Sequence, residues 1–121
     1  MAARWEEAYG YRRTVRAGPF VLVAGTTAVG EDGAVLGPGD AYAQTVYALD
    51  LIEEALGREG VRMDQVVRTR LYVTDISRCD EFGRAHQERF ADARPVSAMV
   101  EVSALMDPRM LVEIEADAYV G

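Results

Sequence analysis

The alternation of apolar and polar side chains near the end of the chain restricts its fold more than any other feature. Over residues 111–120 the apolar and polar positions exchange at every step: Val112, Ile114, Ala116, Ala118 and Val120 fall on one side, and Glu113, Glu115, Asp117 and Tyr119 on the other. This period of two is typical of a β-strand with one buried face. Residues 99–105 are a plausible antiparallel partner, because the turn residues 106–109 would close a hairpin.

The first half of the chain predicts two strands and a helix. Residues 11–24 contain a turn at Gly18 and then the dense apolar run from Phe20 to Ala24, which suits a central buried strand. A glycine-rich loop follows. Apolar side chains then recur at helical spacing over residues 42–56, and Asp40 stands where the N-cap of that helix is expected.

The second half predicts another strand and another helix before the hairpin. Residues 66–74 are rich in β-formers and stop at polar residues. Ser77 and Asp80 resemble a capping box, and apolar side chains continue at helical intervals to Phe90. The predicted order is β-β-α-β-α-β-β. We therefore expect a single α+β domain over residues 1–121.

Charge and composition restrict the function. The chain has 13 basic and 20 acidic residues and a formal net charge of -7, so long-range electrostatics repel a polyanion and nucleic acid is not an expected partner. No apolar run approaches the length of roughly 20 residues that spans a bilayer, and residues 1–7 lack the apolar stretch of a secretion signal. We expect a cytoplasmic protein without a membrane partner.

The few residues suited to metal or redox chemistry predict no such site. Cys79 is the only cysteine and His86 the only histidine, which excludes an internal disulfide and a metal site built from several histidines. An inert thiol and a partly buried or interface imidazole are the more ordinary interpretations of these two residues. No metal or organic cofactor is expected.

Short motifs stand in a fixed order along nearly the whole chain. The first of these motifs is at Tyr11 and the last is Val-Glu-Ile-Glu at residues 112–115. Between them lie Val15–Gly18, Phe20–Thr26, Gln44 with Leu49 and Ile52, Asp64 with Val66–Thr69, Tyr72–Asp75 and Val100–Val102. Together they resemble the RidA/YjgF family of reactive-intermediate deaminases. The resemblance implies a chorismate-mutase-like fold with a mixed sheet and two helices on one face. It also implies a homotrimer with small-molecule sites in the clefts between subunits.

The activity that this resemblance implies is hydrolysis of enamines and imines to ketones or keto acids and ammonia. In the family an arginine binds the substrate carboxylate and a glutamate positions or activates water. Glu113 matches the glutamate. Its ordinary alternative is a place on the wet face of an edge strand. Tyr11 matches the tyrosine that lines the cleft, and the alternative is packing at a subunit interface. Gly25 would let ligand approach the backbone, although it could serve only as a turn device.

The family's arginine is missing, since Ser97 occupies its place in the run Pro95-Val96-Ser97. A hydroxyl cannot replace the charge or the two parallel hydrogen bonds of a guanidinium. Three compensations stay open. Arg94 swings into the cleft, or Arg109, Arg12 or Arg13 supplies positive charge, or the ligand lacks an α-carboxylate, which we favour.

The remaining pocket residue is Met99, which we expect in the core or in the wall beside Ser97. Three functions follow from these residues. The first is hydrolysis of imines, enamines or related reactive intermediates, with Glu113 handling water and with Ser97 and Tyr11 shaping the pocket. The second is a trimer that binds or senses a small molecule without turnover. The third, an endoribonuclease, is disfavoured by the acidic balance.

Overall fold

A five-stranded mixed sheet forms the centre of the molecule. The computed structural model describes residues 3–121, with side chains from residue 5 onward. The strands are β1 (Thr14–Ala17), β2 (Phe20–Thr26), β3 (Val66–Val73), β4 (Val96–Glu101) and β5 (Val112–Tyr119). Their order across the sheet is β1-β2-β5-β3-β4. β5 runs antiparallel to both β2 and β3, whereas β4 runs parallel to β3.

Two long helices cover one face of this sheet and confirm the predicted α+β class. They are α2 (Ala41–Arg58) and α3 (Cys79–Phe90), preceded by a short α1 (Ala3–Tyr9) that the sequence analysis did not predict. Asp40 caps α2 as predicted, because its carboxylate accepts a hydrogen bond of 2.9 Å from the backbone N–H of Ala43. Among residues 3–121, no helix has the length and apolarity needed to cross a membrane.

The core lies between the sheet and the two helices. Every second residue of β5 is buried there, from Val112 to Ala118, which confirms the predicted alternation. The helices add Leu49, Ile52 and Phe82 to the same cluster. Because helices cover only this face, the polar positions of β5 lie on the opposite, open face, and Glu113 is among them.

The predicted hairpin between residues 99–105 and 111–120 is wrong. β4 pairs with β3 alone, in parallel, and β5 lies between β2 and β3. Because α3 connects β3 to β4, the chain forms a βαβ unit with parallel strands, and the following loop carries β5 across to the centre of the sheet.

Two further local predictions need correction. β2 lies inside the sheet, but only alternate residues such as Val21 and Val23 are buried, while Phe20 and Leu22 are exposed on the open face. The capping box at Ser77 does not form. Instead, Asp75 accepts a hydrogen bond of 3.0 Å from the Ser77 N–H and caps a 3-10 turn, after which α3 begins without a side-chain cap.

Candidate functional site

A cavity of about 470 Å³ lies at the end of β2, where Glu113 projects from β5, and we call it the Glu113 cavity. It is lined by residues of α1, α2, β2, β5 and the loops around them: Trp5, Tyr9, Tyr11, Arg13, Ala24, Gly25, Thr27, Val29, Leu51, Met106, Met110, Glu113 and Glu115. Most of these side chains are apolar or aromatic. The few polar groups therefore define where a ligand can form hydrogen bonds.

Gly25 makes the room that the Glu113 carboxylate occupies. The pairing of β2 with β5 shifts register between Val23 and Thr26, so that the backbone at Gly25 bulges away from regular pairing. A Cβ built on Gly25 would lie only 2.5 Å from Oε2 of Glu113. The absence of a side chain at Gly25 thus lets Glu113 fold back over the strand.

Glu113 is half-buried, and its environment disfavours the ionised form. Burial is the main cause of its raised pKa, the nearby negative charge of Glu115 raises it further, and Arg13 partly opposes both. A carboxyl group in such a site holds its proton to a higher pH than it would in water. It can therefore exchange protons with water or with an amine at a pH closer to neutrality.

Arg13 places a positive charge in the wall of the same cavity. Its side chain is 12% exposed and lies 3.9 Å from the Glu6 carboxylate, measured from Nε. Nη2 donates a hydrogen bond of 2.9 Å to the carbonyl oxygen of Gly25. The buried Nε has no hydrogen-bond partner among the described residues. The charge of Arg13 is thus shared between Glu6 and Glu113.

The apolar wall of the cavity depends on a buried amide. Met106 and Met110 reach the cavity from the loop before β5. Gln44, fully buried on α2, holds that loop: its Nε2 donates to the carbonyl of Arg109 and its Oε1 accepts from the N–H of Leu111, both at 2.8 Å. Both polar ends of the amide are satisfied, so the loop is fixed to the helix.

Comparison with known proteins places this fold in a family. The family model described as Endoribonuclease L-PSP matches residues 1–120. The chain belongs to the Endoribonuclease L-PSP family. This match, together with the YjgF relatives below, confirms the RidA/YjgF resemblance drawn from the motifs.

The relatives cover nearly the whole chain. SCO2049, an uncharacterised protein of Streptomyces coelicolor, is 42% identical over 97% of this chain and 87% of its own length. The solved structure of Rv2704 from Mycobacterium tuberculosis, a member of the YjgF/YER057c/UK114 family, is 54% identical with a TM-score of 0.87, covering 98% of this chain and 93% of that one. The YjgF gene product of E. coli is 26% identical with a TM-score of 0.81, covering 90% and 87%.

Only some of the site residues predicted from the RidA/YjgF resemblance lie close together within one chain. Tyr11, Gly25 and Glu113 line the Glu113 cavity. Ser97 lies outside it, exposed on β4, where its hydroxyl contacts Thr69. Met99 is partly buried against the core.

The four arginines considered as replacements for the family's arginine have different surroundings. Arg13 lines the Glu113 cavity. Arg109 is held in its turn by Asp107 through hydrogen bonds of 3.0 and 2.8 Å, and the pKa of Asp107 is lowered to about 2 chiefly by this contact. Arg12 lies beside a different depression, on the open face of the sheet. Arg94 lines a separate cavity with His86 and has a left-handed backbone, with φ of 47°.

The aromatic cover of the cavity was missed by the sequence analysis. Trp5 and Tyr9 line it from α1, a helix of seven residues that is too short to show a clear period. Their spacing of four residues was the only available signal. Among the described residues, no group of three or more histidine, cysteine or acidic side chains could hold a metal ion.

Proposed function

We propose that this protein hydrolyses imines or enamines that lack an α-carboxylate, with Glu113 as the residue that handles water. The observation that carries the proposal is the Glu113 carboxyl itself, half-buried over Gly25 in an otherwise apolar cavity and with a raised pKa. Membership of a family that includes imine deaminases supports it. By the motif resemblance, Glu113 also matches that family's glutamate.

The chemistry needs one proton acceptor that later becomes a donor. The imine nitrogen takes a proton from a donor other than Glu113, and the Glu113 carboxylate takes a proton from water as the water oxygen bonds to the imine carbon, giving a carbinolamine. The Glu113 carboxylic acid then gives its proton to the amine nitrogen. As the C–N bond breaks and ammonia leaves, the hydroxyl proton passes to the Glu113 carboxylate and from there to solvent, which leaves the carbonyl compound. The raised pKa makes the Glu113 carboxylate a stronger base than an ordinary carboxylate, and it keeps the acid form available to a higher pH.

The charges around the cavity support a ligand without a carboxylate. Arg13 is the one cation among the described lining residues, and its charge is already faced by Glu6 and Glu113. A second carboxylate from a ligand would meet Glu113 and Glu115 without an unshared positive charge to offset them. A neutral imine or a cationic iminium avoids this repulsion, and its apolar part can pack against Trp5 and Met110.

A homotrimer would complete the site, as the resemblance implies. The open face of the sheet carries exposed apolar side chains, including Phe20, Leu22 and Tyr119, which favour burial against another copy. Ser97 stands exposed on β4, the edge strand. In the proposed trimer, Ser97 of one subunit would face the Glu113 cavity of the next.

The test is ammonia release from imines that an amine or amino-acid oxidase generates in the assay. Wild type, Glu113→Gln and the control Asp117→Asn are compared on one imine with an α-carboxylate and one without. Asp117 also carries a negative charge and lies on the same strand and face, but outside the Glu113 cavity. We expect turnover of the imine without a carboxylate, a fall of about 10²-fold or more in Glu113→Gln, and little change in the control.

Three other outcomes would change this assignment. Equal rates in wild type and Glu113→Gln would remove Glu113 from the mechanism and contradict the proposal. Specific binding of ligands without turnover would favour the non-catalytic trimer. A Ser97→Arg variant that becomes active only on the carboxylate imine would show that residue 97 sets the substrate class.

A further inference from the structure

A chain of three hydrogen-bonding side chains crosses from α3 to the edge of the sheet. Thr69 on β3 is fully buried, and its Oγ1 lies 2.8 Å from Nε2 of His86 and 2.8 Å from Oγ of Ser97. Ser97 is the direct neighbour of Thr69 on β4 in the parallel pairing of these strands. The His86 ring also contacts the Phe90 ring, at a centroid distance of 4.6 Å.

Two arrangements of the hydrogens fit these distances, because each hydroxyl can donate or accept and a neutral imidazole has two tautomers. In the first, Thr69 donates to Ser97 and accepts from Nε2–H of His86, which leaves Nδ1 as an acceptor. In the second, Ser97 donates to Thr69, Thr69 donates to Nε2, and the ring proton is on Nδ1. Only the first arrangement leaves the Ser97 hydrogen free for another acceptor. Since burial lowers the pKa of His86, the neutral ring is favoured at pH 7.

Both ends of this series of hydrogen bonds, His86 and Ser97, reach solvent. Ser97 is exposed, and in the first arrangement its own hydrogen is free to point outward. His86 lines a second cavity, of about 410 Å³, with Gln87, Phe90, Arg94 and Pro95 among its other walls. No hydrogen bond joins Nδ1 of His86 to a described residue. A proton can thus enter at one end and leave at the other.

We propose that His86, Thr69 and Ser97 form a proton relay and that Ser97 is its donating end. One proton enters at Nδ1 of His86 from solvent, the Nε2 proton passes to Thr69, the Thr69 proton passes to Ser97, and the Ser97 proton passes to the acceptor. His86 is left neutral with its proton on Nδ1. The acceptor we assign, the nitrogen of a bound imine, rests on the proposed function. The relay supplies a neutral donor where the family has an arginine.

The first test is the tautomer of His86, measured by ¹⁵N NMR of the side chain. His86 is the only histidine of the chain, so its signals need no further assignment. We expect the Nε2–H form in wild type. Ser97→Ala frees the Thr69 hydrogen to bond Nε2, so the Nδ1–H form should gain population. Ser97→Thr, which keeps a hydroxyl, should resemble wild type.

The control variant is Ser103→Ala, which removes an exposed hydroxyl just beyond β4 and should leave the His86 signals unchanged. A wild-type ring protonated on Nδ1 would overturn the relay. So would identical His86 spectra for Ser97→Ala and Ser97→Thr.

The second test separates the relay from the proposed function. Ser97→Ala should lower kcat on the imine without a carboxylate by about tenfold or more, and Ser97→Thr should restore most of it. Full turnover in Ser97→Ala, beside an inactive Glu113→Gln, would overturn the relay and leave the proposed function standing. Full turnover in Glu113→Gln would contradict the proposed function, while the NMR result would still decide the relay.

Discussion

Glu113 is half-buried, and because burial disfavours its ionised form, the stability of the protein depends on pH. Its pKa is raised, first by burial and then by Glu115. The folded protein therefore keeps this proton at pH values where the unfolded chain has lost it. The free energy of unfolding falls as pH rises from the ordinary carboxyl range, about 4.3, through the raised pKa of the folded state.

Glu113→Gln should remove this pH dependence. We expect the variant to gain stability relative to wild type as pH rises through that window, with no such gain below about pH 4. Urea unfolding followed by the fluorescence of Trp5, the single tryptophan, measures the difference. Asp117→Asn controls for the loss of one negative charge from the same strand. A difference between Glu113→Gln and wild type that is constant with pH would contradict the prediction.

Gly25 is required for its small size. A Cβ at this position would lie 2.5 Å from Oε2 and 3.0 Å from Cδ of Glu113, so Gly25→Ala must displace the carboxylate. We expect little change in stability, because the carboxylate is the end of a flexible side chain and can move aside, but a loss of about tenfold or more in turnover. Calorimetry and the ammonia assay measure these effects.

Gly83→Ala is the matched control for that substitution. Gly83 lies within α3, and a Cβ there would meet no atom within 4 Å. Because alanine is the better helix former, the control should gain about 0.5–1 kcal/mol. Equal behaviour of the two variants would show that Gly25 is not tightly packed against Glu113.

At the scale of elements, the loop before β5 depends on α2. Gln44 satisfies two backbone groups of that loop, and Gln44→Leu would leave both without their partner in a buried place. We expect a loss of about 2–4 kcal/mol in stability, together with weaker activity because Met106 and Met110 line the Glu113 cavity. Chemical denaturation and the ammonia assay test this. Gln87→Leu, at an exposed position on α3, should be nearly neutral.

The connection between β4 and β5 shows where local patterns stop being informative. Turn residues at 106–109 do form a tight local structure, since the backbone N–H of Arg109 and its side chain both bond to Asp107. The turn does not join paired strands, however. Strand pairing depends on the route of the whole chain, and the α3 crossover had already placed β4 parallel to β3.

At the scale of the whole molecule, the open face of the sheet should mediate association. Leu22→Glu places a charge on that face without disturbing the core, because Leu22 is 38% exposed in the single chain. We expect wild type to sediment as the proposed trimer and the variant to sediment as a folded single chain. Tyr47→Glu is the control, since Tyr47 is 40% exposed on α2. A trimer that survives Leu22→Glu would exclude this part of the face as the interface.

The sequence by itself determined the local elements and the family. Periods of two and of 3.6 depend on side chains close in sequence, so β5, α2, the Asp40 cap and the order of elements after residue 10 were predictable. Motif order sufficed for the family, and Glu113, Gly25 and Tyr11 were predicted as site residues from that order. None of this required long-range contacts.

Only the tertiary structure decided what surrounds those residues. It placed β5 between β2 and β3, brought Trp5 of α1 into the wall of the Glu113 cavity, and distinguished Arg13 from the other candidate arginines. It also aligned Ser97 with Thr69 and His86, which are far apart in sequence. The physical reason is that burial, pKa and hydrogen bonding depend on neighbours in space, and these are set by strand pairing and crossover connections rather than by local pattern.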